Sequence, residues 1–133
     1  AGVDHSPEAV ETTRRLNRCA IASGRLRVLE GSVDHLPFRD GFFDVVTAFE
    51  TTYFWPDLQA GLIEIRRVLS PGGRLVITNE VADREAAGHW AQRLGMNVPD
   101  GRSLAALAHE AGFLTADISL HPRHGWLRLV TTR

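Results

Sequence analysis

The densest apolar run in the chain is Phe43-Asp44-Val45-Val46-Thr47-Ala48-Phe49, near-continuous rather than alternating. A run of this kind marks a strand buried on both faces. After Asp57, a residue suited to cap a helix, the spacing changes. Leu58, Leu62, Ile65, Val68 and Leu69 recur at helical period. Pro71-Gly72-Gly73 breaks that helix, and Arg74 to Asn79, centred on Leu75-Val76-Ile77, returns to strand. Upstream, Ser6 is placed to cap a helix with Pro7 at its first position and Glu8 following. Val10, Leu16, Cys19 and Ala20 give that helix an apolar stripe, and Gly24 ends it. Arg25 to Glu30 alternates as a short strand, and Gly31 to Gly41 is a loop containing Leu36-Pro37-Phe38.

Towards the C-terminus the pattern weakens. Arg84 to Leu94 predicts a helix able to move. Ser103 caps a helix through Glu110, stopped by Gly112. Leu114 to Leu120 and Trp126 to Thr132 are two strands joined directly by His121 to Gly125, a connection short enough to require antiparallel pairing. The sum is a set of parallel βα units closed by an antiparallel hairpin. That predicts a layered α/β sheet with helices on both faces and right-handed crossovers.

Composition narrows the picture. A chain of 133 residues fits one domain, and 44% hydrophobic with 23% charged content excludes wholesale disorder. A net charge of -1 gives no general drive towards nucleic acid or an acidic membrane. Every basic residue is arginine, which points to genomic base composition rather than to function. Cys19 is the only cysteine, so no intrachain disulfide forms; inside a helical pattern and without metal-site companions, it is expected to be a buried thiol. A reducing cytoplasm is compatible with it. No apolar run is long enough to span a bilayer, and no signal peptide is visible. A start at Ala1 suggests that something upstream has been left out.

Three segments carry candidate chemistry. Gly2-Val3-Asp4-His5-Ser6 puts an acid at the end of a strand and directly before a helix, where α/β folds hold a ribose. The alternative is that Asp4 only caps the helix. Gly31 to Phe38 leaves a strand at its carboxyl end, where backbone N–H groups and short side chains can meet a ligand. Phe49-Glu50-Thr51-Thr52-Tyr53-Phe54-Trp55-Pro56-Asp57 crowds four aromatic rings and one acid at the exit of the buried strand. Such rings suit an onium group. Phe49 and Phe54 serve equally well as packing, whereas Glu50, Tyr53 and Trp55 have polar tips that need a destination, and Tyr53 and Trp55 are expected on the substrate side of the pocket. His121 and His124 lack a third ligand, so no metal site is expected. His89 is expected to be an exposed helix residue.

The order of these segments resembles the class I S-adenosylmethionine-dependent methyltransferases, in the branch of the ubiquinone/menaquinone-type enzymes. The resemblance rests on Val3-Asp4-His5-Ser6, Gly31 through Leu36-Pro37-Phe38, Phe43-Asp44-Val45-Val46, Arg67-Val68-Leu69-Ser70-Pro71-Gly72-Gly73 and Glu110-Ala111-Gly112-Phe113, over nearly the whole chain. It implies a Rossmann-like fold over 1–133 and methyl transfer from S-adenosyl-L-methionine to a small molecule. It further implies cofactor contacts from Asp4, His5, Ser32, Val33, Phe49 and Glu50. Asp4 would take the ribose hydroxyls, and Ser32 and Val33 the adenine, Val33 through its N–H. Phe49 and Glu50 would border the methionine end, with Glu50 and Tyr53 as catalytic candidates. Many relatives have Asp where Ser32 stands. The family's glycine-rich loop, first strand and first helix have no counterpart, so the domain is expected to be N-terminally truncated, with an open sheet edge able to pair with a second copy. Two other readings compete: a non-catalytic interaction module that covers that edge with another chain, and a nicotinamide-dependent enzyme in which Asp4 holds a ribose.

Overall fold

The computed structural model describes residues 1–82 and 84–133, and within the helix Arg84–Arg93 the backbone alone at Arg84, Ala86, Trp90 and Gln92. Strand β1 (Gly2–Asp4) leads into helices α1 (Pro7–Leu16) and α2 (Arg18–Ala22), then strand β2 (Val28–Glu30). Strand β3 (Phe43–Phe49), a 3₁₀ turn (Thr52–Phe54), helix α3 (Leu58–Val68) and strand β4 (Leu69–Asn79) follow. Helices α4 (Arg84–Arg93) and α5 (Gly101–Glu110) precede strands β5 (Asp117–Leu120) and β6 (Leu127–Thr132). The bounds of β3 are those expected from its apolar run.

The strands form two sheets. β1 pairs with β2 in parallel, and a four-stranded sheet has the order β3-β4-β6-β5. β3 and β4 are parallel; β4 with β6 and β5 with β6 are antiparallel. The architecture is thus α/β with a C-terminal antiparallel hairpin, as expected. The core lies where α3 and α5 cover one face of the larger sheet, joining Leu62 and Ile65 to Leu75, Ile77, Leu104, Leu127 and Leu129.

Local chemistry explains the element ends. The Ser6 hydroxyl accepts from Ala9 N–H, with Pro7 at the first helical position. Asp57 caps α3 by accepting from Ala60 N–H at 3.0 Å. At α5 the cap is Asp100, which accepts from Ser103 N–H at 2.7 Å. Ser103 is therefore inside the helix, not its cap. Gly73 lies within β4 where its register against β3 shifts between the Phe43–Leu69 and Val45–Arg74 pairs, and a Cβ there would lie 2.9 Å from Ser70 O, 3.1 Å from Phe43 O and 3.2 Å from Asp44 O.

Three burial expectations are corrected. β3 is not buried on both faces: Val45 is 55% and Phe49 58% exposed, because the core shared with α3 and α5 takes up the opposite face, which carries Val46 and Ala48. Helix α1 stops at Leu16, and Leu16 itself is exposed. Cys19 is exposed, since α2 packs chiefly on α1 and no sheet lies over the Leu16–Cys19 stripe. Likewise Arg25 and Leu26 donate to Ala20 O in a helix-closing turn, so β2 begins only at Val28.

Candidate functional site

A cavity of about 690 Å³ opens between the two sheets. Its walls are β1 with His5 on one side, β3 with Glu50 on the other, and the loop after β2. Open crevices at the carboxyl ends of parallel strands are where α/β sheets take ligands. Asp4, His5, Ser32, Val33, Phe49 and Glu50 all line it, together with Phe54 and Trp55. A second groove, of about 750 Å³, lies where α3 and α5 begin; of its three acids, Asp57, Glu85 and Asp100, the two aspartates are already occupied as helix caps.

At the β1 end, Asp4 Oδ1 accepts from Ser6 N–H at 2.8 Å and lies 3.7 Å from His5 Nδ1. One contact does not saturate a carboxylate, which has about four acceptor positions. Ser6, not Asp4, caps α1. In the loop after β2, Ser32 O accepts from His35 N–H, while Val33 N–H has no protein acceptor among the described residues. The Val33 side chain rests on Gly61 of α3, where an added Cβ would lie 3.2 Å from Val33 Cγ1 and 2.9 Å from the Trp55 ring. Gly61 therefore lets the cavity wall sit directly on the helix.

At the β3 end, Glu50 has φ +56°, the only non-glycine residue with positive φ among those described. Such a conformation costs about 1–3 kcal/mol. It directs Glu50 to accept from Glu80 N–H at 2.7 Å, across the ends of β3 and β4. Partial burial pushes the Glu50 carboxyl above its ordinary value against that hydrogen bond, and the nearby Glu80 charge pushes the same way as burial. Beneath this bridge Thr52 and Asn79, both fully buried, exchange hydrogen bonds at 2.9 and 3.1 Å.

Tyr53 is placed differently from expectation. It is 4% exposed and packs with Ala87, Ala91 and Val98 instead of facing the cavity. Its hydroxyl accepts from Val81 N–H at 2.9 Å, close to Val81 O at 3.2 Å, and interacts with the Glu50 carboxylate. Burial pushes this phenol up to about 12, so it stays protonated. The polar tip has its destination in the Val81 backbone and the Glu50 carboxylate, and Tyr53 is not among the residues that line the cavity. Trp55, by contrast, lines the cavity, and so does Phe54, which is half exposed. His89 is exposed on α4.

Sequence reasoning missed one network. Glu64 and Arg67, on one face of α3, are joined by two hydrogen bonds of 2.8 and 2.7 Å. Glu64 also accepts from Leu36 N–H at 2.8 Å, and Arg67 donates to Leu36 O at 3.1 Å and to Asp40 at 2.6 Å. The i,i+3 charges were the visible signal; their partners lie about thirty residues upstream. The Arg67 hydrogen bond, ahead of the Leu36 N–H, holds Glu64 below its ordinary value of 4.5. A depressed carboxylate stabilises the fold above its unfolded value and loses that contribution as pH falls through the folded one. Acid unfolding followed by circular dichroism should therefore show a loss of stability below about pH 4.5 that is shallower in Glu64→Gln.

Comparison with known proteins bears on the family and the fold. Residues 1–77 match the methyltransferase domain family. An uncharacterized 37.1 kDa protein in transposon Tn4556 of Streptomyces fradiae is 35% identical over 124 residues, covering 84% of this chain and 35% of that protein. A demethylmenaquinone methyltransferase of Lactococcus lactis is 27% identical over 146 residues, covering 90% and 58%. Among solved structures, a SAM-dependent methyltransferase from Aquifex aeolicus superposes with a TM-score of 0.79 at 15% identity, covering 98% of this chain and 66% of that one. The [4+2]-cyclase SpnF gives a TM-score of 0.79 at 21% identity, covering 99% and 64%. These two are likenesses of fold alone. The chain thus belongs to the methyltransferase-domain family, that is, to the class I S-adenosylmethionine-dependent methyltransferases. It spans between 23% and 60% of the length of the first curated relatives it matches. Among the described residues no helix is long and apolar enough to cross a membrane, and no cluster of metal-ligating side chains occurs.

Proposed function

We propose that the protein transfers a methyl group from S-adenosylmethionine to a small-molecule acceptor, with the cavity between the two sheets as its site. The observation that supports this most is the convergence of Asp4, Ser32, Val33, Phe49 and Glu50 on one crevice from three separate segments. The cavity residues fit the cofactor. Asp4 retains carboxylate capacity for ribose hydroxyls, Val33 offers an unused N–H to adenine, and aromatic rings stand at the opposite end. When bound, S-adenosylmethionine supplies a methyl carbon already activated by its sulfonium and departs as a neutral thioether. The chain's own work is to orient the partners and exclude water. Phe49, Phe54 and Trp55 wall the methyl end, and Glu50 takes a proton where the acceptor must lose one; its raised carboxyl value makes it a better base than an exposed glutamate. Tyr53 acts one step back, holding Glu50 from below. A cytoplasmic location suits a chain whose single cysteine is exposed.

The test is Asp4→Ala in the full-length protein. Calorimetry should show S-adenosylmethionine binding about ten-fold weaker or worse, as expected for lost hydrogen bonds to a charged acceptor. Unchanged affinity would reduce Asp4 to its bond with Ser6.

A second reading draws on the edges of β1 and β3, each paired on one side only among the described residues. Unpaired edges are templates for strand addition. On this reading residues 1–133 expressed alone associate with a second copy through these edges. Light scattering that gives a monomer across the whole concentration range sinks it.

A further inference from the structure

The loop from Gly31 to Phe42 has no regular structure, yet Ser32, Val33, Leu36 and Phe38 all line the cavity. Something must fix its shape, because an irregular loop otherwise spends binding energy on ordering itself. The fixing element is one face of α3. Leu36 has both backbone groups taken: its N–H by Glu64 and its carbonyl by Arg67. Since Glu64 and Arg67 are themselves doubly bonded, the four groups close a ring. The same helix turn holds the loop further on, where Gly41 N–H donates to Arg67 O and Asp40 pairs with the guanidinium. One turn and two turns of helix away respectively, Gly61 seats Val33. The Glu64 side chain is only 14% exposed and that of Arg67 32%, so the bonds among Glu64, Arg67 and Leu36 are partly shielded from water and salt, whereas the Asp40 carboxylate is 76% exposed.

We propose that Glu64 and Arg67 are positioning residues for cofactor binding: by clamping both backbone groups of Leu36 they hold the loop that meets the adenosine end. This rests on the reading of the cavity as an S-adenosylmethionine site. Neither residue touches the ligand, and neither is among the cavity-lining side chains. A planar guanidinium is required at 67, because its fork serves Glu64, Asp40 and the Leu36 carbonyl at once, which an ammonium on a flexible stem does not.

The experiment uses the full-length protein and three ligands that share adenosine: S-adenosylmethionine, S-adenosylhomocysteine and methylthioadenosine, which lacks the amino-acid end. Glu64→Gln keeps size and removes the charge. It should weaken all three by a common factor of about ten, the scale of a lost charged hydrogen bond. The KM for S-adenosylmethionine should rise correspondingly, with kcat at saturating cofactor unchanged. Arg66→Gln is the matched control. It deletes another tie from α3, the 2.7 Å bond to Gly112 O, and should lower stability without changing affinity. If Glu64→Gln does not fold, Arg67→Lys carries the same test through the Leu36 carbonyl. Equal affinity of wild type and both variants would overturn the proposal. So would a loss confined to the two ligands that carry an amino-acid end, or an equal loss in Arg66→Gln. Wild type that binds none of the three would instead overturn the cavity's assignment to S-adenosylmethionine.

Discussion

Leu75→Ala is expected to destabilise the fold by about 2–5 kcal/mol, the range for deleting a fully buried leucine. Leu75 has no exposed surface. It sits on β4, the strand held by β3 on one side and β6 on the other, opposite Val46 and Thr131. From there its side chain packs into the cluster formed with α3 and α5. Few sites are less able to collapse, because both neighbouring strands fix the backbone around the vacancy. A domain of this size has a total stability on the order of 5–15 kcal/mol, so this one change removes a large part of it. Urea unfolding should show a lowered midpoint with an unchanged slope. A loss below about 1 kcal/mol would mean that β4 is not the centre of the core.

Asn79→Leu should cost about 2–3 kcal/mol for a different reason. It leaves the Thr52 hydroxyl buried without a partner. Thr52→Val in the same chain should return most of that, since removing both partners of a buried hydrogen bond is far cheaper than removing one. Activity is expected to follow another course. Thr52 lies two residues after Glu50, and Asn79 precedes Glu80, whose N–H holds the Glu50 carboxylate. The doubly apolar variant should thus recover stability but not full turnover, because the anchor beneath the Glu50–Glu80 bridge is no longer directional. Denaturant midpoints and turnover measured on the wild type and both variants separate the two effects. Full recovery of turnover would detach the buried pair from the site.

Much of this was legible in the chain itself, for identifiable reasons. β3 and α3 are dense, strongly patterned and flanked by Gly41 and Asp57, so local chemistry decides their ends. The hairpin followed from the length of its connection. The segments that hold Asp4, Ser32, Val33, Phe49 and Glu50 were legible as candidates because each lies at or follows the end of a strand, while the choice of individual residues came from the family resemblance. What was not legible depends on distant partners. Tyr53 was expected at the pocket because its hydroxyl needed an acceptor, but its partners are backbone groups of Val81, which no side-chain pattern encodes. Leu16 and Cys19 carry an apolar stripe that anticipates a neighbour not present over them. Ser103 and Asp100 are both good caps, and only the backbone geometry chooses between them.

The separation into two sheets has a kinetic side. β1, β2 and α1 pack on one another, whereas β3, β4 and β6 share their core with α3 and α5. The first group has few large side chains in its interior, chiefly Val10 and Val28. Opening free energies follow local burial, so the β1–β2 amides should exchange with solvent sooner than those of β4, in a cooperative unit of their own. The wall that carries Asp4 would then breathe against a fixed wall that carries Glu50. A ligand spanning both would be felt first as slowed exchange in β1, and its affinity would report how much of that breathing it has to quench.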